Sequence, residues 1–536
     1  MKFSVVKTKL PSVSNILLAI SSSILLILAF PDLELWFLAY VALIPLFFAI
    51  ERSKESATKS FLIGWIFGTA FIFGSCYWMA YAPTHYGGVP AIISYLLLLS
   101  AALVVGTFYG LFGTLFSIVL KRFGVWGILS APVLWTVVEF LRFNLTGNNW
   151  NAIAYSQAFG GIKDWASIGG IYLVGFLTVS SSSLLLTAFL YRREKLNLYE
   201  GKDLKALERG KPLFIAIIIL FLVVNLSRQF IFDKPVSPPF DSSSNTSVVA
   251  IQANVPMSGL KYEDWEHLRE RHIQLSENGL KELENKGLRT KDKGHTIVIF
   301  PESPMNFAYT QDREFQQFLR EFTARNNVSV LFNAAEPTET EGYYNSAVMV
   351  NEQGRKIAQY DKIHLVPFGE FVPFPKSLAA YIPTVAGNFE FGTNYNLMPF
   401  GDAKAGMMIC FESHFPTLSR RLVSDGADVL VEITNDGYLG NTAILRQHLA
   451  NTVFRAVETN RPVLRVTNVG ITAYVNEKGE VIEPSQAYTE TTRLWTVSKS
   501  DGNKTFYVKY GDWFAWLCLI VSLGLLFLSF RKRKEL

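Results

Sequence analysis

Ala405-Gly406-Met407-Met408-Ile409-Cys410-Phe411-Glu412 is a short apolar run that ends on a thiol, with a carboxylate two residues beyond. Its length and composition read as a buried strand with a cysteine at its end. The same arrangement recurs upstream. Thr296–Phe300 is an apolar strand followed by Pro301 and Glu302, and Lys356–Tyr360 leads through Asp361 to Lys362. Further strands are expected at Ser247–Val255, Val328–Asn333, Ser346–Val350, Asp428–Thr434, Pro462–Thr467 and Gly470–Val475. Helical stretches fall near 263–286, 311–325, 415–424 and 444–459. Such a mixture implies an α/β or α+β domain, in which groups at strand ends can meet on one rim of a sheet. There are no internal repeats and no glycine-rich nucleotide-binding pattern.

The rest of the chain is of another kind. Of 536 residues, 50% are apolar and only 18% charged, against about 25% in soluble domains. This excludes a disordered chain, a coiled coil and an ordinary cytosolic enzyme. The excess lies in residues 14–232 and 513–530, in runs near 14–30, 33–50, 61–82, 90–119, 125–141, 166–190, 213–232 and 513–530. Each is long enough to cross about 30 Å of hydrocarbon. The first is preceded by Lys2, Lys7 and Lys9, as a signal peptide would be. Leu28-Ala29-Phe30-Pro31 is a poor cleavage site, however, and another span follows at once. The expectation is therefore a multi-pass α-helical bundle of eight spans plus an α/β domain. Residues 1–232 are expected to form a membrane domain of seven spans, 233–246 a Pro/Ser-rich linker, 247–512 the α/β domain, and 513–536 the eighth span with a basic tail.

A net charge of +5 gives no reason to expect nucleic acid, and where the cations lie matters more. Lys and Arg in short loops stay cytoplasmic. With the N-terminus inside, the inside segments hold nineteen cations, clustered before residue 10, at 52–59, 121–122, 192–211 and 531–534. The outside loops near 31–33, 83–89 and 142–165 hold two, Arg142 and Lys163. Both termini are expected inside and residues 233–512 outside the cytoplasm. Glu139 and Arg142, at the outer end of the fifth span, read either as an i,i+3 ion pair or as a contact to a lipid headgroup.

Of three cysteines, Cys76 and Cys518 lie in apolar runs and Cys410 stands alone in the soluble stretch, so there is no disulfide framework. Glu302, Lys362 and Cys410 together could perform acyl transfer. A thiolate attacks, a carboxylate takes the thiol proton, and an ammonium with backbone N–H groups after the nucleophile stabilises the tetrahedral oxyanion. His364 and His448 are the nearest histidines in sequence that could serve as a base instead. Singly, each residue also has a plain reading: a cap or surface charge, a solvated lysine, a packed cysteine. Spacing alone leaves a catalytic and a packed cysteine both open.

Taken together, the motifs carry more. Phe300-Pro301-Glu302-Ser303, the stretch from Tyr360 to Glu370 (Tyr-Asp-Lys-Ile-His-Leu-Val-Pro-Phe-Gly-Glu) and Ile409-Cys410-Phe411-Glu412 resemble the Glu-Lys-Cys signature of the nitrilase superfamily. With flanking spans, they resemble the bacterial apolipoprotein N-acyltransferase family. Asn435-Asp436-Gly437-Tyr438, Gln447-His448, Arg455-Ala456-Val457-Glu458, Arg465 to Gly470, Glu139-Phe140-Leu141-Arg142 and Tyr155-Ser156-Gln157 extend the match over nearly the whole chain.

The resemblance implies a nitrilase-like α-β-β-α sandwich on the periplasmic side of the inner membrane. The implied reaction moves a fatty acyl chain from a phospholipid to the α-amine of a lipoprotein's S-diacylglyceryl cysteine. Cys410 would be the nucleophile, Glu302 the general base and Lys362 the oxyanion stabiliser, with Glu370 and Glu412 supporting them. No metal or organic cofactor is implied, and the protein is expected as a monomer. Phe411, Tyr438 and Tyr262 depart from the family's more usual aromatics, and with Glu139 and Arg142 they are the candidate substrate contacts. Asn148-Asn149 stands where the family has Phe-Pro. The aromatic, proline-broken stretch from Phe368 to Phe391 reads as loop packing or as a lid that admits acyl chains. Competing readings are a membrane-tethered amidase or nitrilase acting on a small C–N substrate, and a transporter or receptor with an outer binding domain.

Overall fold

The computed structural model describes residues 10–198, 211, 212, 214, 215, 218, 219, 222, 246–258, 262–289, 294–302, 308–339, 342–373 and 389–531. The first helices are α1 (Val13–Ala29), α2 (Ile44–Ser53), α3 (Ala57–Ser75), α4 (Tyr81–His85), α5 (Ala91–Phe123), α6 (Ala131–Thr146) and α7 (Ala166–Leu198). The chain forms two units. One comprises Met1–Ala80, Ala91–Lys234 and Asp512–Leu536, the other Tyr81–Pro90 and Pro235–Gly511.

In the first unit, five stretches among the described residues are long and apolar enough to cross a membrane: Trp36–Ser53, Ala57–Ser75, Ala91–Thr146, Lys163–Lys195 and Trp513–Phe530. Val13–Ala29 is apolar but shorter, at 17 residues. The 56 residues of Ala91–Thr146 would extend about 84 Å if straight, far beyond one crossing. They contain a 3₁₀ segment at Gly124–Ser130, and Tyr109 of α5 meets Trp135 of α6 at 5.3 Å between ring centroids, so the chain folds back. Three expected spans differ in detail. The second and fifth begin as 3₁₀ turns, Trp36–Tyr40 and Gly124–Ser130, ahead of helices with proline in their first turn, a position that tolerates the missing N–H. The sixth breaks at Gly169-Gly170, where Gly170 takes φ +63. The seventh, 213–232, lies almost wholly outside the described residues. Helices α3 and α5 approach through glycines: a Cβ on Gly64 would sit 2.1 Å from the Tyr109 carbonyl oxygen. Small residues let membrane helices pack in this way.

The second unit is built on two sheets. Its strands are β1 (Thr246–Gln252), β2 (His295–Ile299), β3 (Ser329–Pro337), β4 (Tyr343–Val350), β5 (Lys356–Asp361), β6 (Phe389–Glu390), β7 (Met398–Phe400), β8 (Ala403–Ile409), β9 (Val429–Thr434), β10 (Val463–Thr467), β11 (Ala473–Val475), β12 (Val481–Ile482) and β13 (Thr491–Val497). One sheet runs β13-β1-β2-β3-β4-β5 with β6 beside β4; the other runs β12-β11-β10-β9-β8-β7. The central pairings β1–β2–β3 and β8–β9–β10 are parallel.

Alternation of side chains along each strand decides the layers. Val248, Ala250, Ile297 and Ile299 join Met407, Ile409, Val431 and Ile433 in one core between the sheets. Val249, Ile251 and Val298 point the other way, onto α8 (Tyr262–Asn285) and α9 (Arg313–Asn326) through Leu268, Leu280, Phe315 and Leu319. The second sheet packs outward on α10 (Pro416–Ser424) and α11 (Ile444–Thr459). The unit is therefore an α-β-β-α sandwich. Strand β13, which the sequence reading did not identify, pairs antiparallel with β1 along its whole length.

Candidate active site

Three strands deliver the expected residues to one place. Glu302 lies three residues beyond β2, Lys362 directly follows β5, and Cys410 directly follows β8. The Lys362 ammonium is 2.8 Å from Glu370 Oε1 and 3.7 Å from Glu302 Oε1. The Asn345 amide on β4 donates to both carboxylates, at 3.0 Å to Glu302 and 2.7 Å to Glu370. Its own oxygen accepts from Asn333 Nδ2 at 2.7 Å, which fixes the amide's orientation. Glu302 and the Thr434 hydroxyl both lie beside the Cys410 side chain and act on its thiol. Parallel pairing explains the latter contact: Ile409 of β8 is in register with Ile433 of β9, so Cys410 sits beside Thr434.

The electrostatics follow from burial and charge count. Two carboxyl groups, Glu302 and Glu370, surround the single Lys362 ammonium. Burial, then repulsion from Glu302, holds the Cys410 thiol well above its ordinary pKa. Burial also raises Glu302, against the pull of Lys362. Burial alone would lower Lys362, but Glu370 and Glu302 outweigh it and keep the ammonium charged. The resting site is thus a thiol beside a carboxyl group and a lysine ammonium.

Glu412 ties the lysine loop to the cysteine turn. Its Oε1 accepts from Ile363 N at 2.7 Å and His364 N at 3.0 Å, its Oε2 from Ile409 N at 2.9 Å, and the Tyr360 hydroxyl reaches both oxygens. Burial pushes the carboxyl up to about 7, offset by those backbone N–H groups. The turn it braces, Cys410–His414, is 3₁₀, and Cys410 itself has φ +53. A non-glycine residue there is strained, and such strain gathers at functional sites.

The other candidates divide. Phe411 is half-buried, its ring stacked on His414 at 5.3 Å and edge-on to Phe415. Tyr438 meets Tyr86 edge-to-face at 5.9 Å. Burial, then the nearby Glu302 and Cys410, raises its phenol. Tyr86, which donates to the Gly437 carbonyl at 3.3 Å, belongs to the Tyr81–Pro90 segment of this unit. The side chain of Tyr262 lies outside the described residues, as do Phe374, Tyr381 and Ile382 of the expected lid. Phe368 is exposed, and Phe371 packs edge-on to Phe391 at 4.9 Å.

Glu139 and Arg142 do not pair with each other. Glu139 accepts from Trp135 Nε1 and Ile153 N, each at 2.9 Å. Arg142 donates to Asn149 Oδ1 and the Tyr109 hydroxyl. Both are buried and occupied within the first unit, binding the 149–153 turn to α6. This corrects the expected ion pair: each side chain has other partners.

Neither histidine serves the thiol. His364 stacks flat on Phe415 at 3.9 Å, and burial pushes it down to about 4. His448 faces the Cys410 carbonyl, not its sulfur. Asn345, Thr434 and Tyr86 went unnoticed in the sequence, since only register and packing bring them here. Among the described residues, no group of three or more His, Cys, Asp or Glu could hold a metal ion.

Comparison with known proteins fits this geometry. Residues 22–184 match the apolipoprotein N-acyltransferase N-terminal domain, and residues 248–505 match the carbon-nitrogen hydrolase family. The apolipoprotein N-acyltransferase of Geobacter metallireducens is 30% identical, with 96% of this chain and 95% of that one covered. That of Thermotoga maritima is 29% identical over 97% and 95%. A mutant amidase from Nesterenkonia, of the nitrilase superfamily, aligns at a TM-score of 0.36 and 14% identity over 50% of this chain and 95% of its own. A membrane-type N-terminal part, a carbon-nitrogen hydrolase sandwich and near-complete coverage of a 30% identical relative place the chain in the apolipoprotein N-acyltransferase family of acyltransferases.

Proposed function

We propose that the protein moves a fatty acyl chain from a membrane phospholipid to the α-amine of the S-diacylglyceryl cysteine that opens an apolipoprotein, by a ping-pong route through a Cys410 thioester. The observation that carries this is the convergence of Glu302, Lys362 and a strained Cys410 in a chain of this family. In the first half, Cys410 Sγ bonds the acyl carbon and the ester C–O bond breaks. The thiol proton passes through Glu302 to the departing lysophospholipid oxygen. In the second, the acceptor amine bonds the same carbon and the C–S bond breaks. The amine proton returns through Glu302 to the sulfur. Lys362 and the backbone N–H after Cys410 face the oxyanion of both intermediates.

Both substrates live in a bilayer, which accounts for the apolar spans of the first unit. In this reading residues 1–232 and 513–530 lie in the inner membrane with both termini inside. Residues 247–512 work on the periplasmic face, tethered by 233–246. The test is intact mass spectrometry after incubation with phospholipid. One acyl adduct is expected on the wild type and none on Cys410→Ala. No adduct, or one that survives that substitution, sinks the proposal. Ammonia released from small amides, without adduct transfer to a lipopeptide, would favour a tethered amidase.

A further inference from the structure

A set of buried charges behind the Cys410 turn takes no part in the steps above. His448 on α11 directs Nδ1 to Asp436 Oδ1 at 2.7 Å. Its Nε2 lies 3.0 Å from the Cys410 carbonyl oxygen and 3.1 Å from Glu432 Oε1. All three facing atoms are acceptors, so the ring is satisfied only as an imidazolium that donates from both nitrogens. Arg465 pairs with both carboxylates, with Asp436 at 2.8 Å and with Glu432, its register partner on the neighbouring strand. Thr452 donates to Glu432 at 2.6 Å. The four charges sum to zero, and all are 3% exposed or less.

Burying four charges is costly, and packed apolar residues would stabilise the fold as well or better. What the set supplies is a charged donor aimed at one carbonyl. That carbonyl belongs to the residue with φ +53. In a trans peptide the C=O and the following N–H point in opposite directions, so holding the Cys410 carbonyl also holds the Phe411 N–H.

We propose that His448 is a positioning residue: its bond to the Cys410 carbonyl locks the Cys410–Phe411 peptide plane and aims the Phe411 N–H at the oxyanion of the acyl-transfer intermediates. This rests on the reading of Cys410 as nucleophile. Burial and Arg465 depress the imidazole, but Asp436 and Glu432 more than offset them and raise it to about 9. The groups facing the ring are Asp436 after β9, Glu432 on β9, Arg465 on β10 and the Cys410 turn, so no further titratable side chain is needed.

The experiment uses full-length protein in detergent and two variants. His448→Gln removes the charge; Asp436→Asn keeps the shape but removes the anion that holds the second ring proton. Acylation of Cys410 by a dipalmitoyl phospholipid is followed by intact mass, and alkylation of the same thiol by iodoacetamide is measured in parallel. Alkylation forms no oxyanion. Loss of one oxyanion donor costs about 10²–10³-fold in rate, and partial misaiming should cost at least about tenfold. Acylation should therefore fall at least about tenfold in both variants, with KM and alkylation within about threefold of wild type. Acylation near the wild-type rate in either variant overturns the proposal. So does a parallel fall of acylation and alkylation, the signature of a merely structural role. A wild type that alkylates at Cys410 but gives no acyl adduct overturns the acyl-transfer reading and this proposal with it.

Discussion

At Cys410 the resting proton sits on sulfur, because burial and the neighbouring Glu302 disfavour a thiolate. Glu302 is then the group that must be ionised to act. Glu302→Gln preserves the hydrogen bond from Asn345 yet cannot accept a proton. The acylation rate should fall about 10²–10⁴-fold while the thermal midpoint changes little, as read by mass spectrometry and melting of the same sample. The pH profile has a defined sign. Glu302 is raised above the ordinary carboxylate value of about 4.3, so acylation should decline with acidification through a point above that value. His448 is raised to about 9, above its ordinary value of about 6.5. Its contribution is complete below the ordinary value and lost as pH rises through 9. An alkaline decline in acylation that His448→Gln abolishes is the expected profile.

Elements hold these residues through a few bonds each. The β5 end and the β8 end belong to different sheets, and Glu412 joins them by accepting from three backbone N–H groups and a tyrosine. Glu412→Gln turns one acceptor into a donor facing donors. An unsatisfied buried group costs about 1–3 kcal/mol, so a lowered melting temperature and slower acylation are both expected. Near-wild-type melting would show that the carboxylate does not brace the turn. In the first unit, Gly64→Val should lower the unfolding temperature in detergent, since even a Cβ would lie 2.1 Å from a backbone oxygen of α5. The strand and helix pattern of the second unit was legible, because periodicities of 2 and 3.6 report which side of an element is buried. Less legible were β13, whose partner β1 lies far upstream in the chain, and the 3₁₀ starts of two spans and the break at Gly170, where backbone dihedrals decide.

For the whole molecule, orientation is the property most directly open to test. Nineteen cations on one side against two on the other predict the accessibility of introduced thiols in a Cys410→Ser background. Lys286→Cys, on a half-exposed side chain after α8, should react with an impermeant maleimide in intact spheroplasts. Lys121→Cys, exposed at the end of α5, should react only after lysis. The reverse result would invert the topology. The amino-acid sequence by itself determined the two kinds of chain, the expected orientation and the three candidate residues at strand ends, because hydropathy, loop charge and strand-end motifs are local quantities. Only the tertiary structure decided which groups meet. Asn345 between two carboxylates, Thr434 beside the thiol, Glu412 across two sheets and His448 behind the Cys410 carbonyl all depend on register and layer packing between residues far apart in the chain. The same holds for Glu139 and Arg142, whose spacing suggested a pair and whose burial gave each a different partner.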